Sequence, residues 1–299
     1  MSADLPAPRA HSHIVDTLIE ERATHLMARA RLWALIRAVL YPMLGYKKAV
    51  KIADALRDVS GREAMDFAQD FLRMRLSVEG LDHVPAEGPC VILANHPGGI
   101  ADGVAVWQML KNHRPDTIFF ANRDAIRVCP GLSDHIIPVE WRAGERNRDK
   151  TRETLKQAMT AFKDGKCIVV FPAGRMAHWS WAHKRLVEGP WMPTGVSLAR
   201  KFRTPLIPMG VTQRMSLAFY GLGQIHEELR HMTVFYELLA KKQAHYTLRL
   251  AAPYRPEDLG GSEGALTEQI KAECEALAWG LSFQRPEPTR NEALAIEGP

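Results

Sequence analysis

A chain of 299 residues, 46% hydrophobic and 24% charged, has enough apolar material for a sizeable core without disulfide or metal staples. Its net charge of +5 favours anionic surfaces and substrates in a general way. There is no dense Lys/Arg tract, zinc-finger spacing or aromatic RNA-binding motif, so nucleic acid is not an expected partner. Cys90, Cys129, Cys167 and Cys274 form no C-x-x-C and have no His at zinc spacing. They read as reduced core thiols, and neither a metal nor a bound cofactor is expected.

The first 13 residues are poor in apolar side chains and carry Pro6 and Pro8, so an unstructured lead without a secretion-signal layout is expected. No run reaches the ~18–20 apolar residues of a membrane-spanning helix. Residues 14–75 are helical in pattern, with apolar positions three or four apart, as in Ala23, Met27 and Ala30. Breaks are expected around Pro42 to Gly45 and at Ser60-Gly61, where Ser60 and Glu63 have the spacing of a capping box. The stretch Arg31 to Tyr41 mixes large apolar residues with arginine and interfacial aromatics. It serves either as packing or as a membrane-surface attachment.

From residue 76 short β-branched runs alternate with helical stretches. Strands are predicted at 76–79, 90–94, 117–121, 135–140, 167–171, 205–211 and 247–251. Helices are predicted at 103–110, 149–164, 195–201, 227–242 and 265–281, with a flexible tail from Gln284. The alternation implies an α/β fold, a sheet of about seven strands flanked by helices. Ligand sites in such sheets lie beyond the carboxyl ends of strands, which directs attention to the loops after Ala94, Ala121, Glu140, Phe171 and Val211.

The first of these loops reads Asn95-His96-Pro97-Gly98-Gly99-Ile100-Ala101-Asp102-Gly103. It places a His at a strand end and an Asp at the next helix, with glycines that let the two meet. A carboxylate on one ring nitrogen fixes the tautomer and stabilises an imidazolium, leaving the other nitrogen as a base near neutral pH. No G-x-S-x-G elbow is present, so the pair suits activation of a hydroxyl on a bound substrate rather than a serine of its own. The plain alternative is a loop His beside a helix-capping Asp.

The second loop, Phe171-Pro172-Ala173-Gly174-Arg175, ends an apolar strand in a Pro-x-Gly turn. It offers backbone N–H groups for an oxyanion and a guanidinium fork for an anion, or it is simply a tight turn with a solvated Arg. Arg123, Arg127 and Arg142 follow other strands and read as anion ligands or as surface charges. Basic residues across 142–156 suit an anionic lipid contact or a solvated helix. His178, Trp179, Trp181 and His183 form an aromatic cluster for an acyl channel or a membrane interface, with no carboxylate to complete a metal set.

The first loop resembles the catalytic motif of the PlsC-like glycerophospholipid and lysophospholipid acyltransferase superfamily. Its five residues between His96 and Asp102 match the bacterial hemolysin-like branch, N-H-P-x-G-x-x-D-G. The second loop is similar to F-P-E-G-T-R, with Ala173 where that motif has Glu and Arg175 one residue early. Residues 205–211, broken by Pro208, are similar to the family's fourth motif.

The resemblance implies a mixed sheet of the glycerol-3-phosphate acyltransferase kind. It implies direct transfer of a fatty acyl chain from acyl-CoA or acyl-carrier protein to a lysophospholipid-like hydroxyl. In that scheme His96 is the base and Asp102 its orienter. Gly174 helps at the oxyanion, and Arg142, Arg175 and Arg123 serve an anionic head group. It divides the chain into a membrane-associating helical segment (1–75), an acyltransferase domain (76–255) and a C-terminal helix with tail (256–299). Membrane lipids are then partners, and the protein is peripheral on the cytoplasmic face. Two other readings remain: a thioester hydrolase in which His96 activates water, and a peripheral lipid-binding protein whose dyad is idle.

Overall fold

The computed structural model describes residues 13–140, 147–182 and 184–285. Arg142, His183 and most of both chain ends therefore lie outside the described residues. Five helices come first: α1 (Ile14–Glu20), α2 (Thr24–Met27), α3 (Ala30–Met43), α4 (Tyr46–Ala55) and α5 (Gly61–Leu72). His13 already belongs to this layer, since its ring caps α1 at Val15 N–H and pairs with Asp54. Pro42 sits in the last turn of α3, and the chain reverses at Gly45, whose φ of 72° suits glycine. The capping box is present: Ser60 N–H donates to Glu63 at 2.9 Å, and Glu63 N–H donates to Ser60 Oγ at 3.3 Å.

The α/β portion runs β1 (Arg75–Glu79), β2 (Cys90–Ala94), α6 (Ile100–Leu110), β3 (Ile118–Asn122), α7 (Asp124–Val128), β4 (Ile136–Val139), α8 (Arg148–Lys163) and β5 (Cys167–Val170). It continues with β6 (His178–Ser180), β7 (Arg185–Val187), α9 (Thr194–Phe202), β8 (Leu206–Thr212), α10 (Leu217–Ile225), α11 (Glu227–Met232), α12 (Val234–Ala240), β9 (His245–Leu250) and α13 (Glu263–Ala278). Seven strands form one mixed sheet in the order β1-β9-β8-β2-β5-β3-β4. Every neighbouring pair is parallel except β8 with β9. The carboxyl ends of β2, β5, β3, β4 and β8 therefore share one edge with the amino ends of β1 and β9.

Strand side chains alternate between two cores. Cys90, Ile92 and Ala94 face one layer with Trp107 of α6 and Leu72 of α5. Val91 and Leu93 face the other, with Phe162 of α8, Val196 of α9 and Ile270 and Cys274 of α13. A third cluster ties α1 to α4 through Val15, Trp33 and Tyr41. No helix among the described residues is long and apolar enough to cross a membrane.

Three sequence expectations change. The helix expected over 227–242 breaks at Thr233, whose hydroxyl donates to Arg230 O at 2.7 Å. Helix α10 and the antiparallel β6–β7 hairpin have no counterpart in the prediction; Gly221 and Gly223 dilute the helical signal of α10. The start of the tail is anchored, because Arg285 pairs with Glu273 at 3.0 Å and lies 3.8 Å over the Tyr254 ring.

Candidate active site

β2 delivers His96 to the carboxyl edge of the sheet. Asn95 fixes the exit: its Nδ2 donates to Val211 O at 2.9 Å and its Oδ1 accepts Val211 N–H at 2.6 Å, so the loop is bolted to β8. α6 begins at Ile100, three residues before the predicted start, which places Asp102 inside the first turn with its side chain fully buried. His96 Nδ1 lies 3.0 Å from Asp102 Oδ2, which also accepts Gly98 N–H at 2.8 Å. An ionised Asp makes Nδ1 the donor. Nε2 then carries the lone pair, and it makes no hydrogen bond among the described residues. The ring is mostly buried and stacks on Phe171, centroids 4.3 Å apart.

Two buried polar atoms meet beside Gly98. Among the described residues, Asp102 Oδ1 and the Tyr246 hydroxyl lack a well-aligned hydrogen bond. A Cβ on Gly98 would overlap Asp102 Oδ1 and lie 2.6 Å from Tyr246 Oη, so this position excludes any side chain. Burial, and after it the charge of Asp102, push the Tyr246 phenol far above its usual range, so it stays a neutral donor facing the carboxylate. Gly99 has a φ of 68°, and Met215 and Met176 close over it. The site is therefore apolar on that side.

Glu188 completes the surroundings, and no sequence motif marked it. It accepts the His96 backbone N–H through Oε1 and the Trp191 indole N–H at 2.7 Å through Oε2. Burial pushes its carboxyl up from the ordinary range, while those two donors pull it back.

The structure separates the other predicted residues. Gly174 has a φ of 60° and a backbone N–H spent on Phe171 O at 3.0 Å. In this structure that N–H closes the turn. Arg175 is 77% exposed in its side chain, with Glu227 3.9 Å away. Arg123 is not at the dyad. It pairs with Glu153 of α8 at 2.8 Å and lines a hollow of about 770 Å³ with Arg127, Ser133 and Glu153, none of it shared with His96. Arg127 pairs with Glu21 at 2.6 Å and Asp124 at 3.0 Å and so fastens α7 to the N-terminal helices. Pro208 is buried in β8, opposite Leu93 of β2. Trp179 and Trp181 meet edge to face, centroids 6.0 Å apart, and Trp181 is 71% exposed on the hairpin turn.

Residues 75–212, which hold the dyad and both loops, match the Acyltransferase family model. A lyso-glycine lipid O-acyltransferase from Phocaeicola vulgatus is 26% identical over 66% of this chain and 72% of its own length. A protein of the same name from Bacteroides thetaiotaomicron is 24% identical over 58% of this chain and 61% of its own. The crystal structure of the 1-acyl-sn-glycerophosphate acyltransferase PlsC from Thermotoga maritima aligns with 90% of this chain and 100% of its own, at 16% identity and a TM-score of 0.47. Through residues 75–212, just under half of its length, the chain is thus similar to acyltransferases.

Proposed function

We propose that the protein is a lysolipid O-acyltransferase that moves a fatty acyl chain from a thioester, acyl-CoA or acyl-carrier protein, to a lipid hydroxyl. The observation that carries this reading is the His96–Asp102 pair, held at 3.0 Å through Nδ1 with Nε2 left for a substrate. Nε2 takes the proton of the acceptor hydroxyl as its oxygen attacks the thioester carbonyl, and a C–O bond forms. The tetrahedral intermediate collapses, the C–S bond breaks, and the departing thiolate takes the proton from the imidazolium. Asp102 keeps the tautomer and stabilises the cation between the two transfers. The apolar wall of Met176, Met215 and Phe171 suits an acyl chain.

The relatives' acceptor, a lyso-glycine lipid, is the first to test. The departure of Phe171-Pro172-Ala173-Gly174-Arg175 from F-P-E-G-T-R weakens the case for lysophosphatidic acid as the acceptor. Arg175 is the cation for an anionic head group, with Arg142 as its expected partner. The enzyme works as a peripheral protein on the cytoplasmic membrane face, without a cofactor of its own. Leu35, Val39 and Met43 support that placement: they form an exposed stripe along α3, while Trp33 and Tyr41 pack inward.

The test is product analysis by mass spectrometry. Wild type, His96→Ala and Asp102→Asn meet acyl-CoA or acyl-carrier protein, with lyso-glycine lipid or lysophosphatidic acid. The expected result is a new doubly acylated lipid with wild type, reduced on the order of 10²–10⁴-fold in either variant. Thioester loss without an acylated lipid would replace the transferase by a hydrolase. No turnover by a folded, vesicle-bound protein would leave a lipid-binding role.

A further inference from the structure

Glu188 reaches the dyad from outside both recognised loops. It lies between β7 and α9, on a segment held against the second loop by Met192 N–H donating to Pro172 O at 3.0 Å. That loop has Ala173 where the F-P-E-G-T-R pattern has Glu. A carboxylate thus arrives in this neighbourhood from another segment. Its two oxygens are both occupied, one by the His96 peptide N–H and one by the indole of Trp191, itself 5% exposed.

The backbone of His96 needs such a hold. Asn95, the residue before it, is bolted to β8, but Pro97 after it has no N–H to give, so the His96 N–H is the donor that can hold the peptide of the base itself. The His96 carbonyl accepts Ala177 N–H at 3.4 Å, a longer bond. Asp102 orients the ring through Nδ1 and Phe171 supports its face, but neither restrains the peptide on which the ring is mounted.

We propose that Glu188 is a positioning residue for the base: it clamps the His96 peptide, and Trp191 aims the clamp, so that Nε2 points at the acceptor hydroxyl. The kinetic consequence rests on the transferase reading; the clamp itself does not. A carboxylate suits two converging donors because both of its oxygens accept. A glutamine would turn its NH2 toward one of them and lose that bond. Misaiming a base by a fraction of an ångström slows chemistry and leaves substrate affinity alone.

The experiment compares wild type, Glu188→Gln and Trp191→Phe in acyl-transfer kinetics, and by NMR of the ¹⁵N-labelled proteins with the His96 amide assigned. The expected result for Glu188→Gln is a kcat lower by roughly 10–100-fold with KM within about twofold. The His96 amide proton should move upfield as its carboxylate acceptor is lost. Trp191→Phe should give a smaller kcat loss, about fivefold, with a smaller amide shift; it stands in if Glu188→Gln does not fold. An unchanged kcat, a loss carried by KM, or an unmoved His96 amide would overturn the proposal. An amide that responds to Glu188→Gln in a protein that transfers no acyl group sustains the clamp and sinks the transferase reading instead.

Discussion

Gly98 is the position where a single added atom should do most harm. Its missing side chain leaves the space that Asp102 Oδ1 and the Tyr246 hydroxyl occupy, and both belong to buried groups that have nowhere to retreat. Gly98→Ala must therefore displace the carboxylate that orients His96. We expect kcat to fall on the order of 100-fold, with a stability loss of about 1–3 kcal/mol, read by kinetics and thermal denaturation. Wild-type kcat in this variant would show that the Asp102 carboxylate can shift without cost. His96, Asp102 and the glycines between them were legible because their chemistry is compressed into nine consecutive residues. Glu188 and Tyr246 were not: each reaches the site from a distant segment, and an isolated Glu or a strand Tyr looks like any other. Arg123 and Arg127 were ambiguous for a related reason. A strand-end Arg looks the same whether it meets a substrate or, as Arg123 and Arg127 do, an acidic side chain of a neighbouring helix.

Among the helices, α11 carries a built-in acid sensitivity. His231 is held down to about 4 from 6.5, first by burial and then by Arg230, with Glu227 opposing and Arg22 and Arg175 adding to the effect. Its side chain is 22% exposed. The unfolded chain binds a proton there below its ordinary pKa, and the folded chain does not. Stability is thus intact above about pH 6.5 and is lost as pH falls toward 4, by about 2–3 kcal/mol at most. Urea titrations from pH 7 to 4 should show this slope in wild type and a shallower one in His231→Gln; parallel slopes would remove His231 as the cause. Element boundaries were read best where one period dominated, as in β2, β5 and α8. They failed for α10, where Gly221 and Gly223 interrupt an apolar run, and for α11 and α12, where Thr233 divides what reads as one helix.

For the whole molecule, the exposed stripe of Leu35, Val39 and Met43 sits on a layer whose other face is fully engaged with α1 and α4. Replacing all three by Glu should leave the thermal transition nearly unchanged, because 49–69% of each residue's surface already meets solvent. It should abolish co-flotation with anionic vesicles. Retained flotation would move membrane contact to another surface, such as that of Trp181. The α/β class and its strand count were legible from alternation alone. The reversal of β1 and β9 was not, since a strand's sequence does not carry its direction, and without it the placement of Tyr246 against Asp102 could not be foreseen.

The close of α13 on β8 has a consequence for how the enzyme comes into being. Gly210 lies so near the last turn of α13 that a Cβ there would overlap Ala278 N and sit 2.6 Å from Leu277 C, and Gly210→Ala should lower the thermal midpoint by several degrees. β8 and the Asn95 bolt it receives are therefore sandwiched by chain made long after the motifs themselves. During translation the recognised motifs leave the ribosome early, with one face of a central strand still bare. A nascent enzyme should gain activity abruptly, once residue 278 has emerged and docked, and until then it presents an apolar strand to chaperones.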